Sequence, residues 1–360
     1  MSLRVHIPSL KKVPMNFEPQ PHDTPTSSSD AHAQMFNLIY GYAASQTVRA
    51  FAELRIADHL AEDGVSAHVI ATREQASPAY VSRLLRAGTA LGLTIWVDDD
   101  LYAGADLLAT LRETHPRSLR AQALSFTSEP LWIAWSQFVH TVRTGTTQAH
   151  RALGADFFSY LSQHPEHGAA FSDAMTSATA VWSDNIAAVL DTVSVQRVVD
   201  VGGATGALLR RLQIANPRLE GVVFDTEAVL DLARTATAAE GFPDRTHFVA
   251  GDFFETAPAG DLYLLKFILH DWDDTSCVEI LRRCRESMSP GGRVAVIEFL
   301  WEATKPSRVV AMSDVSMMLV LTGHERTLED FDTLFAAAGL RRISVRPTRD
   351  PQVVIEAVAI

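Results

Sequence analysis

The sequence predicts an α/β fold in which a largely parallel sheet domain follows a helical front. Three observations predict it. A β-branched run, Val198 to Val201, enters a glycine-rich turn at Gly202, Gly203 and Gly206, and a helical stretch and a second strand ending on Asp225 follow. Strand and helix patterns then alternate to the end of the chain. Residues 31 to 190 carry helical periodicity, broken by one strand–turn–strand pattern near residue 97.

With 360 residues the chain is long enough for two domains, and 47% hydrophobic with 21% charged residues suits a large buried core. A net charge of −12 argues against nucleic acid as a partner, since phosphate contacts need clustered Lys and Arg. No apolar run approaches the ~18 residues of a membrane span and no signal peptide is visible, so a cytoplasmic protein is expected. Cys277 and Cys284 lie seven apart on one predicted helix, roughly 10 Å by helical rise and too far for a disulfide.

Residues 1–29, rich in Pro, Ser and Thr around Pro19 to Ser29, read as a mobile tail. Residues 30–115 form the helical front. Met35 to Tyr42 and Thr47 to Leu54 are denser in apolar residues than one face of a small domain buries, which points to a subunit interface or an internal helix pair. Asp58-His59-Leu60 ends one helix and Ser77-Pro78 opens another. Ile95-Trp96-Val97, Asp98-Asp99-Asp100 and Leu101-Tyr102 then read as strand, turn, strand. That order is winged-helix-like, but the helix that would meet DNA offers only Arg83 and Arg86, and the wing carries three aspartates. The module reads as structural; a ligand-sensing winged-helix regulator is the remote alternative.

Residues 116–190 read as a helical connector with turns near Gly145, Gly154 and Pro165. Its aromatics, among them Trp132, Phe157, Phe158 and Trp182, supply core and a wall for an apolar pocket between domains.

Residues 191–360 form the sheet domain. The helix after the glycine turn, Ala207 to Ala215, stops at Asn216-Pro217. An acid ending the second strand, here Asp225, commonly receives ribose hydroxyls. The turn lacks the Gly-x-Gly-x-x-Gly spacing of dinucleotide sites, so no pyrophosphate is expected at the helix N-terminus. Strand Thr246 to Ala250 leads to Gly251-Asp252-Phe253-Phe254, where Asp252 suits an adenine amine and Phe253 its face; a helix cap at Asp252 with core phenylalanines is the bland reading. Strand Leu262 to Leu269 carries Lys266 and runs into His270, at the carboxyl edge of the sheet and two strands away from the glycine turn. Asp273 and Asp274 read as caps of the helix beyond, and a metal at Asp271, Asp273 and Asp274 is a weaker alternative. Pro290-Gly291-Gly292 turns into a strand ending near Glu298, and Gly323-His324-Glu325-Arg326-Thr327 precedes a last helix. His270 with Glu298 and Glu325 makes a possible base with two orienting acids.

Asp200 to Gly206, Gly251 to Phe254, Leu265 to Asp274 and Gly323 to Thr327 resemble the small-molecule O-methyltransferases of plant and bacterial natural-product pathways. The resemblance covers nearly everything after residue 30. It implies a Rossmann-like class I methyltransferase domain with an N-terminal all-helical, winged-helix-like dimerisation domain, hence a homodimer, and a final antiparallel hairpin at Arg342–Arg346 and Val353–Val358. It implies S-adenosylmethionine (SAM) as cofactor, with Gly202 at its methionine part, Asp225 at the ribose, Asp252 and Phe253 at the adenine, and Lys266 nearby. It gives His270 as general base held by Glu298 and Glu325, no metal, and a small aromatic acceptor. Ala204 departs from the pattern, which often has a third glycine there, and the turn is expected to survive one added methyl. Some members decarboxylate or methylate carbon; keeping His270 favours transfer to oxygen.

The implied chemistry meets a proton problem. A phenol titrates near ~10 and an imidazole near ~6.5, so full transfer in water costs about 5 kcal/mol. Carboxylates beside the imidazole would narrow that gap. Met312, Met317 and Met318, near Asp314, offer either an adaptable pocket or core.

Overall fold

The computed structural model describes residues 28–60, 64–237, 244–305 and 307–360. The expected tail lies outside them except for Ser28 and Ser29, which open the helix Ser28–Ile39. Met35, Phe36, Leu38, Ile39, Tyr40 and Tyr42 are each more than half exposed. So large an apolar surface on one short segment marks an interaction face.

From Ser45 onward the front has its own core, in which Phe51, Ile56, Leu60, Ile70, Leu85 and Tyr102 pack together. Strands β1 (Val65–Ser66), β2 (Thr94–Asp98) and β3 (Leu101–Gly104) form an antiparallel sheet in the order β1-β3-β2. The helices Ala67–Arg73 and Pro78–Ala90 lie before the β2–β3 hairpin, which is the expected winged-helix order. In the connector, Gly145 and Gly154 end helices in the left-handed conformation, and Pro165 opens the long helix Pro165–Val189.

The second sheet has seven strands, β4 (Arg197–Val201), β5 (Glu220–Asp225), β6 (Thr246–Ala250), β7 (Gly260–Lys266), β8 (Met288–Phe299), β9 (Leu340–Pro347) and β10 (Gln352–Ala359), in the order β6-β5-β4-β7-β8-β10-β9. The first five are parallel; β10 runs antiparallel to both β8 and β9, so the last hairpin inserts its second strand next to the parallel set. Two apolar clusters cover its faces, one around Val199, Leu265 and Phe335, the other around Val198, Leu264 and Leu209. Buried on both faces, these strands read as continuous apolar runs. The turn expected at Pro290–Gly292 lies inside β8: Gly260 pairs with Met288 but Leu262 with Arg293, so the intervening residues bulge from the ladder.

This order corrects one expectation. The chain leaves β4 toward β5 and β6 on one side, then returns to lay β7 on the other, so the strand that leads to His270 is the immediate neighbour of the glycine-turn strand rather than two strands off. Such a reversal of strand order opens a crevice at the carboxyl ends, where ligands bind in α/β sheets.

Candidate active site

At the β4 end of the crevice the chain turns on Gly202, at φ +63°. A Cβ there would overlap Ile268 Cδ1 and lie 3.9 Å from Phe253 Cε1, so the glycine turn, the loop after β6 and the loop after β7 meet at this atom. Ala204 also takes a left-handed conformation, at φ +48°, and its amide donates to Asp225 Oδ2 at 3.0 Å. Asp225 Oδ1 accepts from the Thr226 amide at 2.8 Å. Burial raises the Asp225 pKa and these amide donors oppose the rise.

The glycine turn lacks the spacing that brings a pyrophosphate to the helix N-terminus, and the Asp225 carboxylate stands where ribose hydroxyls are received. Each of its oxygens keeps a lone pair for a hydroxyl donor. SAM, a phosphate-free cation with a ribose diol, suits this donor set.

Phe253 packs edge-on against Phe254 at 4.9 Å and near Trp272 at 6.0 Å. Asp252 is exposed, and its Oδ1 accepts from the Phe254 amide at 2.8 Å, so it closes a turn of its own loop rather than capping a helix. Lys266 ends β7 with its Nζ 4.8 Å from the centre of the Phe267 ring. Burial lowers its pKa to about 8 against the opposing pull of Asp200, whose own pKa burial raises to about 7. Phe267 is left-handed at φ +53°, which marks a strained junction where the chain leaves β7.

His270 sits in the single 3-10 turn Leu269–Asp271, its side chain 12% exposed. Its Nδ1 lies 3.0 Å from Glu325 Oε1, which also accepts from Ser313 Oγ at 2.6 Å. The Glu325 amide in turn donates to Asp314 Oδ1 at 2.9 Å, so the helix Arg308–Val320 steadies the acid; Met312 on that helix is exposed. Glu298 behaves differently. Its Oε1 accepts from the amides of Ile268 at 3.1 Å, Leu269 at 3.0 Å and His270 at 3.3 Å, while Oε2 stands 3.7 Å from Nδ1. Asp271 Oδ1 lies 3.3 Å from the other ring nitrogen, Nε2. Burial favours the neutral ring, but Glu298, Asp271 and Glu325 outweigh it and hold the His270 pKa up at about 10.

The structure thus brings His270, Glu298 and Glu325 together, and Gly202, Asp225 and Phe253 around the neighbouring turn. Asp252 stays apart on its exposed loop. The metal alternative loses its geometry, because its three aspartates face different partners. Asp271 faces His270, Asp273 caps the helix Asp274–Glu286 through the Ser276 amide, and Asp274 pairs with Arg326 instead of capping. Among the described residues, the close-set group of metal-ligating side chains is His270, Glu298 and Glu325 themselves.

Three participants escape the sequence reading. Arg326 is fully buried against the His270 turn. Gly323 sits so close that a Cβ would overlap His270 O and lie 2.5 Å from Trp272 N. Trp272 bridges Phe254 at 4.8 Å and Phe158 of the helical connector at 5.9 Å. Gly323 and Arg326 flank Glu325 in a segment already singled out, and that adjacency was the one available signal.

Comparison with known proteins agrees with this geometry. The family model for the O-methyltransferase domain matches residues 135–341, and that for the O-methyltransferase dimerisation domain matches 36–106. The chain is 36% identical over 346 residues to the O-demethylpuromycin-O-methyltransferase of Streptomyces alboniger, covering 92% of this chain and 90% of that protein. The crystal structure of LaPhzM superposes with a TM-score of 0.88 at 32% identity, covering 92% of this chain and 99% of that one. NcsB1, an O-methyltransferase from neocarzinostatin biosynthesis solved with SAM and 2-hydroxy-5-methyl naphthoic acid, gives a TM-score of 0.76 at 32% identity over 88% of this chain and 96% of that one. The chain therefore belongs to the family of SAM-dependent O-methyltransferases.

Proposed function

We propose that this enzyme methylates a phenolic hydroxyl of a small aromatic natural-product intermediate, with His270 as general base. The observation that carries the reading is the imidazole itself, held at Nδ1 by Glu325 and lifted to about 10 by the carboxylates of Glu298, Asp271 and Glu325. A phenol also titrates near ~10, so transfer from the phenol to the neutral ring falls from about 5 kcal/mol in water toward zero, while the neutral ring itself fills only as pH climbs toward about 10.

SAM supplies an electrophilic methyl group on its sulfonium. Around it, Asp225 offers acceptors to the ribose hydroxyls, Phe253 covers the adenine face, and Gly202 lets main chain approach the methionine part. Asp252, exposed beside Phe253, accepts from the adenine amine, and Lys266 lends its buried charge at the neighbouring strand end. With both reactants fixed, alignment contributes several kcal/mol. His270 takes the hydroxyl proton at Nε2, the nitrogen turned from Glu325 and 3.3 Å from Asp271 Oδ1, whose charge favours the protonated ring. Glu325 fixes the tautomer by accepting from Nδ1–H, much as a buried acid orients a catalytic histidine elsewhere.

The connector, residues 116–190, forms one wall of the acceptor pocket in this reading; the Phe158–Trp272 stack supports it. The dimerisation domain and the exposed apolar segment 35–42 support a homodimer. No helix among the described residues is long and apolar enough to cross a membrane.

The test is His270→Ala, assayed with labelled SAM and 2,7-dihydroxy-5-methyl-1-naphthoate, the acceptor named for a relative 33% identical to this chain, as first probe. Turnover should fall by roughly 10²- to 10⁴-fold, with SAM affinity by calorimetry unchanged. Equal loss of both would make His270 structural. The product mass separates O-methylation from C-methylation or decarboxylation.

A further inference from the structure

A 3-10 helix of one turn satisfies almost none of its own backbone groups: its amides point out at one end and its carbonyls at the other. Buried, such a turn needs partners at both ends. Glu298 Oε1 serves the amide end, taking Ile268, Leu269 and His270. At the carbonyl end stands Arg326. Its Nη1 donates to Leu269 O at 2.7 Å, and its Nη2 donates to Trp272 O at 2.8 Å. Nε and Nη2 both donate to Asp274 Oδ1, at 3.0 and 2.7 Å. The two carbonyls bracket His270 and Asp271. A carboxylate at the amide end and a guanidinium at the carbonyl end also match the dipole of the turn.

The two partners are joined. The Trp301 amide, just past the end of β8 that carries Glu298, donates to Arg326 O at 2.9 Å. Gly323, three residues before Arg326, packs bare backbone against His270 O. The Glu325 that holds the ring and the Arg326 that holds the turn are therefore consecutive residues of one tightly docked segment.

We propose that Arg326 is a positioning residue for His270, gripping the carbonyls on either side of the imidazole while Glu298 grips the amides, so that the ring keeps its distance from Glu325. The role rests on His270 being the base. Arginine is needed rather than lysine, because only a planar fork reaches two carbonyls and a carboxylate together. The fork touches no reacting atom; its whole effect passes through the seat of the imidazole.

The experiment is an NMR titration of the full chain carrying ¹³C-labelled histidine, with the His270 signal assigned by its loss in His270→Gln. In Arg326→Lys the turn loosens, the ring drifts from Glu325, and the proton affinity of His270 should fall by roughly threefold or more. Binding of S-adenosylhomocysteine should stay within roughly threefold of wild type, since the glycine turn is untouched. A folded Arg326→Lys protein whose His270 titrates as in the wild type overturns the proposal, even if its melting temperature is lower. Should Arg326→Lys fail to fold, Asp274→Ala decides. It removes a 66% exposed partner of the guanidinium, and a smaller shift in the same direction supports the clamp while an unchanged midpoint overturns it. The titration needs no acceptor, so it judges the clamp even if His270→Ala retains turnover and the base reading falls.

Discussion

Glu298 hydrogen-bonds His270 through the main chain and acts on the ring by charge alone: its Oε1 accepts the His270 amide at 3.3 Å, while its Oε2 remains 3.7 Å from Nδ1. Glu325 does the reverse, touching the ring at 3.0 Å and leaving the turn alone. Both acids raise the ring's proton affinity, but of the two Glu298 holds the amides of the turn and Glu325 bonds the ring.

Their substitutions should separate accordingly. Glu298→Ala strands three buried amides, each worth about 1–3 kcal/mol, and should lower stability by at least about 3 kcal/mol. Glu298→Gln keeps an acceptor and should recover most of it. Glu325→Gln should hardly move the melting temperature but should lower the His270 pKa by roughly 1–3 units. The raised imidazole value means the base form fills only as pH climbs toward about 10. Lowering it moves the acid limb of kcat/KM to lower pH in Glu325→Gln, which a pH–rate profile reads directly. The same raised value stabilises the fold fully below ~6.5, the unfolded imidazole value. That contribution fades as pH rises through about 10.

Asp225→Ala should weaken SAM binding by roughly 10- to 100-fold, the value of hydrogen bonds to a charged acceptor. It also frees the Ala204 amide, so some of the loss comes from a looser glycine turn. Calorimetry with SAM measures it, and unchanged affinity would refute the ribose role.

Gly323→Ala drives a methyl into the backbone of the His270 turn, within 2.5 Å of Trp272 N and 2.7 Å of Asp271 C. Neither side yields easily, with Glu298 and Arg326 holding the turn. We expect a stability loss of about 1–3 kcal/mol and at least a tenfold drop in kcat. Thermal unfolding and initial rates check both.

Ala204→Gly should stabilise the protein. A left-handed alanine costs roughly 1–2 kcal/mol, partly offset by the ~0.4–1 kcal/mol of extra chain entropy glycine brings to the unfolded state. The net gain is about 0.5 kcal/mol or slightly more by these terms, visible as a small rise in melting temperature with SAM affinity retained.

The parts of the site legible in the sequence were those written in local pattern. Glycines after a β-branched run announced the turn, Asp225 followed at a strand end, and His270 stood where an apolar strand gave way to acids. The winged front came from a strand–turn–strand pattern and the final hairpin from the family resemblance, and both appear within a few residues of their expected limits. The turn tolerates Ala204, as expected, at a strained φ of +48° that no local pattern reveals.

By itself, then, the sequence determined the element types and the glycine turn, because each depends on residues a few positions apart, while His270 and its acids were singled out by the family resemblance. Tertiary structure alone decided that β7 lies beside β4, that Glu298 takes the amides of the turn while Glu325 bonds the ring, and that Arg326 is buried beneath His270. Those outcomes depend on which groups meet across separations of 28 to 64 residues. Burial then makes each unmet donor or acceptor costly enough to choose its partner.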